Sequence, residues 1–308
     1  MIRFRSCLAV VVCVLTAASV SAQMPPTASW AAGIANDYQV FPDITYLTAS
    51  NWEAKLDVYT PRGTGPHPTV LHIHGGGWTG GSRESVILRA MPFLEMGFAV
   101  VNISYRLARV AEAPAAVEDC LCALRWVIRN AKQYNFDVNR IVVTGYSAGG
   151  HLALTTGMIP ASVGLDRQCP GPEELKVAAI VNWFGITDVA DLLDGANRRT
   201  YAVQWLGSRP DRVDVARRLS PLTYIRRELP PTLTIHGDAD PVVPYPHATT
   251  LHAALQKAGV NSELVTIPKG GHGNFPQLEQ LRAVEAMRVF LTRVGITRRP
   301  AATSAARQ

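Results

Sequence analysis

The chain is short of cysteine, has no internal repeat and, past its first residues, has no apolar stretch long enough to cross a bilayer. Its 308 residues include only 5 cysteines, too few for a disulfide-built scaffold. No cysteine and histidine spacing matches a zinc module, so no metal and no cofactor is expected. The formal charge of +6 is scattered. Without an interleaved basic and aromatic pattern it gives no footprint for nucleic acid, and the reading is no nucleic-acid partner and no membrane-spanning segment.

What is present begins with Arg3 and Arg5, an apolar stretch from Leu8 to about Ala17, and Ser19-Val20-Ser21-Ala22. That is the charged, apolar, small-residue order of a secretory signal peptide over residues 1–22, cleaved after Ala22. A retained anchor is the competing reading. Secretion or export to a periplasm follows, with no membrane attachment after cleavage. Cys7 and Cys13 leave with the signal. Cys120 and Cys122 lie in a helical pattern, where a two-residue step turns about 200°, so they point apart and do not bridge each other. Cys169 can pair with either in an oxidising compartment, or all three can sit as small buried hydrophobes.

Residues 23–36, rich in Pro, Ala and Ser, read as a flexible leader, and 296–308 as a disordered basic tail. Between them, 37–295 read as one domain. Strands are expected at Ile44–Thr48, Lys55–Tyr59, Thr69–Ile73, Phe98–Ile103, Ile141–Val143, Val177–Val181, Thr232–Ile235 and Glu263–Ile267. Helices are expected over Ala115–Tyr134, 247–258 and 277–293. Continuous apolar strands alternating with helices predict an α/β fold, a mainly parallel sheet of about eight strands covered on both faces. The irregular stretch 185–231 reads as a lid-like insertion over one edge of the sheet. Oligomeric state is not legible.

Gly145-Tyr146-Ser147-Ala148-Gly149 follows the apolar run Ile141-Val142-Val143-Thr144 and opens a helix-like segment. A serine on such a sharp strand-to-helix turn has its hydroxyl presented at the top of the sheet. Upstream, His74-Gly75-Gly76-Gly77-Trp78 follows another strand and suits an oxyanion loop, with Gly76, Gly77 and Ala148 offering amides. A serine hydroxyl needs an imidazole to take its proton and a carboxylate to orient that ring. After Ser147 in chain order, His236-Gly237-Asp238-Ala239-Asp240 offers the acid and Gly270-Gly271-His272-Gly273 the base. Asp240 is expected as the orienter, with Asp238 pinning its loop. His74 is expected to brace the glycine loop and His151 to be structural. Trp78 and Tyr146 are the expected substrate contacts, although Trp78 can equally pack beneath the loop.

These motifs, with Ser104-Tyr105-Arg106-Leu107, Pro114, Asp119 and Trp183-Phe184-Gly185-Ile186-Thr187-Asp188, resemble the hormone-sensitive-lipase-like esterases and more closely the bacterial feruloyl/acetyl esterase branch of the α/β-hydrolases. The resemblance covers residues 40–293. It implies an α/β-hydrolase fold, a Ser147–Asp240–His272 triad, an Arg106–Asp119 structural pair, and carboxylesterase activity on short acyl or hydroxycinnamoyl esters of sugars. An arylformamidase is the enzymatic alternative, and a non-catalytic binding protein on the same fold is the other.

Overall fold

The computed structural model describes residues 26–297. The expected signal peptide, the first part of the leader and all but the first two residues of the expected tail lie outside the described residues. The rest of the leader departs from its reading as flexible chain: Pro26–Asp37 forms helix α1. Proline suits the first helical position, and the alanine-rich stretch behind it has high helical propensity.

From Asp37 onward the chain forms an eight-stranded sheet in the order β1-β2-β4-β3-β5-β6-β7-β8. The strands are β1 (Tyr38–Ala49), β2 (Trp52–Pro61), β3 (His67–Ile73), β4 (Ala99–Ile103), β5 (Phe136–Tyr146), β6 (Ala179–Trp183), β7 (Thr232–Gly237) and β8 (Ser262–Ile267). β1 and β2 are antiparallel, β2 joins β4 antiparallel, and every pairing from β4 through β8 is parallel. Successive residues of β4 and β6 are all buried. Side chains alternate between faces along a strand, so both faces of the central sheet are covered.

The covering helices include α2 (Met91–Glu95), α3 (Ala115–Arg129), α4 (Ala131–Tyr134), α5 (Ala148–Met158), α8 (Pro246–Lys257) and α9 (Gln277–Arg293). The expected helix from 115 to 134 is broken at Asn130 into α3 and α4. Arg106, just after β4, is tied to α3: its guanidinium reaches Asp119 at 2.7–3.0 Å, its amide donates to the same carboxylate at 2.7 Å, and Glu118 lies 3.2 Å away. Cys122 of α3 is bonded to Cys169, and Cys120 is buried and free. Among the described residues no helix is long and apolar enough to cross a membrane.

The insertion between Gly185 and Pro231 holds two short helices, α6 (Thr200–Leu206) and α7 (Arg212–Arg218). Ala202, Trp205, Leu206, Ala216 and Leu219 are buried in the main core. These side chains tie the insertion to the body of the domain.

Candidate active site

Because β3 and β5 through β8 run parallel, their C-terminal ends lie on one edge of the sheet. The segments that follow β3, β5, β7 and β8 carry the glycine loop, Ser147, Asp240 and His272 respectively.

Ser147 joins β5 to α5 with φ 58° and ψ −119°, a conformation that costs a non-glycine residue about 1–3 kcal/mol and persists only where the surroundings impose it. Its amide donates to the Trp183 carbonyl at 2.9 Å, and α5 behind it is buried almost throughout. The strain rests on the serine itself. Gly145 and Gly149 answer a different need: a Cβ on either would stand 2.3 Å from backbone, on Gly149 O and Ile73 O respectively. The serine hydroxyl makes no capping bond to α5.

In the glycine loop, Gly76 and Gly77 have φ of 115° and 58°. A Cβ at Gly76 would meet Gly80 O at 2.2 Å, and one at Gly77 would meet the Tyr201 side chain at 2.8 Å. The Gly76 carbonyl accepts from the amides of Thr79 and Gly80. The amides of Gly76, Gly77 and Ala148 take no part in the turn and cap bonds of the described residues. His74 braces this loop. Its ring stacks on Tyr105 at 4.2 Å, and the Tyr105 hydroxyl donates to the His74 carbonyl at 3.1 Å.

Trp78 is fully buried, stacked on Trp205 at 4.2 Å. Its indole N–H donates to His151 Nδ1 at 3.2 Å, and His151 Nε2 lies 2.8 Å from the Leu219 carbonyl. A carbonyl only accepts, so the His151 proton sits on Nε2 and Nδ1 is free to accept from Trp78. Burial lowers the His151 pKa to about 4 and keeps the ring neutral. Of the two roles expected for Trp78, packing beneath the loop is the one found. The Tyr146 ring is 7% exposed, with Trp183 stacked on it at 5.2 Å and the Arg89 guanidinium 4.5 Å from its centroid.

Asp240 is held from all sides. Its Oδ1 accepts from the amides of Val242 and Val243 at 2.7 and 3.0 Å. Its Oδ2 lies 2.7 Å from His272 Nδ1 and 3.3 Å from His236 Nε2. Burial pushes its pKa up, but the bonds from His236, His272 and the Val243 amide outweigh it, so the carboxyl is held well below the usual range. Asp238 accepts from the Lys269 amide and so joins the Asp240 loop to the His272 loop. His272, whose side chain is 22% exposed, carries its proton on Nδ1 because a carboxylate faces that nitrogen, which leaves Nε2 as an acceptor. Phe184, just after β6, packs edge-on against His272 at 4.8 Å and also contacts Tyr146 at 5.8 Å and Phe275 at 5.9 Å.

The structure therefore puts Asp240 and His272 in contact and brings Ser147 and the glycine loop to the same edge. The sequence reading missed the part played by the insertion. Tyr201 packs on Gly77 and its hydroxyl donates to the Val242 carbonyl at 3.2 Å, which Arg199 Nε also reaches at 2.9 Å. The insertion thus ties the glycine loop to the acid loop, and no motif in 185–231 signals it. A cavity of about 380 Å³ lined by Leu121, Ile159, Leu165, Glu173 and Arg226 lies elsewhere and shares no residue with this constellation.

The chain is similar to several known proteins. Residues 56–255 match the BD-FAE family. The esterase LipC of Mycobacterium tuberculosis is 30% identical over 78% of this chain and 62% of its own length. The chain spans about half the length of the curated relatives it matches. Among solved structures, esterase 2 of Thermogutta terrifontis phosphoramylated by tabun superposes with a TM-score of 0.71 at 26% identity, over 86% of this chain and 97% of that one. A truncated carbohydrate esterase from gut microbiota gives 0.69 at 27% identity, over 84% and 97%. Ser147, Asp240 and the residues between them fall inside the matched segment, and the chain belongs to the BD-FAE family of α/β-hydrolases.

Proposed function

We propose that this chain is a secreted serine carboxylesterase acting on short-chain acyl or feruloyl and acetyl esters, with plant-polysaccharide esters as the natural class. The observation that carries the reading is the 2.7 Å contact of His272 Nδ1 with Asp240 at the sheet edge that also bears the strained Ser147. His272 Nε2 takes the Ser147 proton as Oγ attacks the ester carbonyl. The tetrahedral oxyanion is met by the Gly76, Gly77 and Ala148 amides, each worth about 3 kcal/mol. Collapse expels the alcohol, which leaves with the proton from His272. Water then attacks the acyl-serine by the same proton route, releasing the acid and restoring Ser147. No metal or redox group enters this sequence.

The similarity to esterases and to a carbohydrate esterase supports the reaction class and a sugar-ester substrate. The Cys122–Cys169 bond supports an oxidising compartment and hence export. The test is a panel of acetyl, butyryl, octanoyl and feruloyl esters with acetylated xylan, together with N-formylkynurenine, run on the wild type and on Ser147→Ala. The expected result is preference for short or feruloyl esters, labelling of Ser147 by a fluorophosphonate, and a loss on the order of 10⁶ in kcat for the variant. Turnover surviving in Ser147→Ala, or a preference for the formamide, overturns the reading.

A further inference from the structure

Asp240 is served by two histidines, and the proposed mechanism uses only one. The other, His236, lies on β7 and is wholly buried. Its Nε2 is 3.0 Å from the Val243 carbonyl and 3.3 Å from Asp240 Oδ2. Both are acceptors, so the proton of this ring sits on Nε2 and points to the pair. Its Nδ1 is buried and has no hydrogen-bond partner among the described residues. A core histidine that leaves one nitrogen unpaired incurs a desolvation cost, and what it gains is confined to the Asp240 loop. Phe184 and Tyr245 pack edge-on around the ring at 6.4 and 5.8 Å and fix its plane.

We infer that His236 is a positioning residue for the acid of the triad: its Nε2–H holds the Val243 carbonyl and faces Asp240 Oδ2, fixing the carboxylate that orients His272. The two contacts are linked through the backbone. Pulling the Val243 carbonyl toward β7 folds residues 240–243 into the turn whose Val242 and Val243 amides grip Oδ1. Oδ2 is then left between the two rings, shared by His236 and His272. The acid is thus aimed by its neighbour on a rigid strand, although it sits on a loop. The inference rests on the Ser147–His272–Asp240 reading.

The test uses the full chain and compares His236→Phe, which fills the aromatic pocket without a donor, with His236→Gln, whose side-chain amide can return an N–H to the same place. The other groups facing the pair are unchanged: His272, Tyr245 at the start of α8, Tyr201 and Arg199 of the insertion, and His247. His236→Phe is expected to lower kcat on p-nitrophenyl acetate by about 10–100-fold with KM within about twofold, since a triad held in place acts in the transition state. The acid limb of kcat/KM is expected to move to higher pH, because a carboxylate short of one donor holds the protonated His272 more strongly. His236→Gln is expected to recover most of both. Should His236→Phe fail to fold, His236→Asn, too short to reach Val243, takes its place against His236→Gln.

A lower melting temperature with kcat and acid limb unchanged, or equal losses in the Gln and Phe variants, overturns the inference. Asp240→Ala separates the two levels. If it abolishes turnover while His236→Phe is indifferent, only the positioning role falls. If turnover survives Asp240→Ala, both fall.

Discussion

Gly149 stands so close to the end of β3 that a Cβ on it would lie 2.3 Å from the Ile73 carbonyl oxygen. Both groups are backbone in central elements, so neither can swing aside as a flexible side chain would. Gly149→Ala is expected to cost about 1–3 kcal/mol, the usual range for overpacking. At roughly 2–4 °C per kcal/mol for a chain of this size, calorimetry should show the loss, and turnover should fall further than stability because the displaced turn carries Ser147. An unchanged melting temperature would refute the close-approach account of this glycine.

The same residue shows what the sequence made legible. Two glycines around a serine after an apolar run announced a strand-to-helix turn, but their reason was legible only in space: φ is positive at Ser147, whereas the glycines are excluded volume against β3 and each other. Strands buried on both faces announced themselves as unbroken apolar runs, as Val142 and Val181 show. The start of β5 did not, because Asp137, Asn139 and Arg140 are partly or fully exposed and polar. The periodicity of α3 showed that Cys120 and Cys122 face apart. Which of them meets Cys169 depends on where the loop from 159 to 178 runs, which no local pattern encodes. Trp78 could not be placed from sequence because its partner, Trp205, lies in a short helix more than a hundred residues away.

Arg106 and Asp119 are each almost wholly buried and satisfy one another through several hydrogen bonds. Removing one partner strands the other charge, so Asp119→Ala is expected to cost about 3–5 kcal/mol in urea unfolding. The double variant Arg106→Met with Asp119→Leu should recover much of that, because replacing both members of a buried ion pair with apolar groups leaves no stranded charge. If the double variant is as unstable as the single one, the pair is contributing more than charge compensation.

The Cys122–Cys169 bond closes a loop with a sequence separation of 47. Chain-entropy arithmetic gives about 4 kcal/mol for a loop of that length. Cys122→Ser is therefore expected to lower unfolding stability by about 2–4 kcal/mol and leave kcat close to wild type, since the bond touches none of the residues around Ser147. Cys120 is buried and its thiol is pushed well up by burial, so it should resist alkylation until the chain unfolds. Rapid labelling of Cys120 in the native protein would contradict its placement.

Acid should unfold this protein through its histidines. Burial is the leading cause that lowers the pKa of His72, His74, His151 and His247 from 6.5 to about 4. The unfolded chain titrates these rings near 6.5. Between the two values the unfolded state binds protons that the folded state refuses, so stability rises with pH across that window. It is complete above about pH 6.5 and is lost as pH falls toward 4, each ring adding at most about 1.4 kcal/mol per pH unit. Asp240, whose carboxyl is held below its ordinary range, adds a loss only at still lower pH. His151 isolates one of these protons. Its Nε2 faces the Leu219 carbonyl and its Nδ1 accepts from the Trp78 N–H, so a second proton would set donor against donor. His151→Gln can supply one donor and one acceptor at the same points yet cannot titrate. Urea midpoints measured from pH 7 to pH 4.5 should fall steeply for the wild type, and for His151→Gln the slope should be shallower by about one proton. Equal slopes in the two proteins would show that His151 does not titrate as a buried neutral ring.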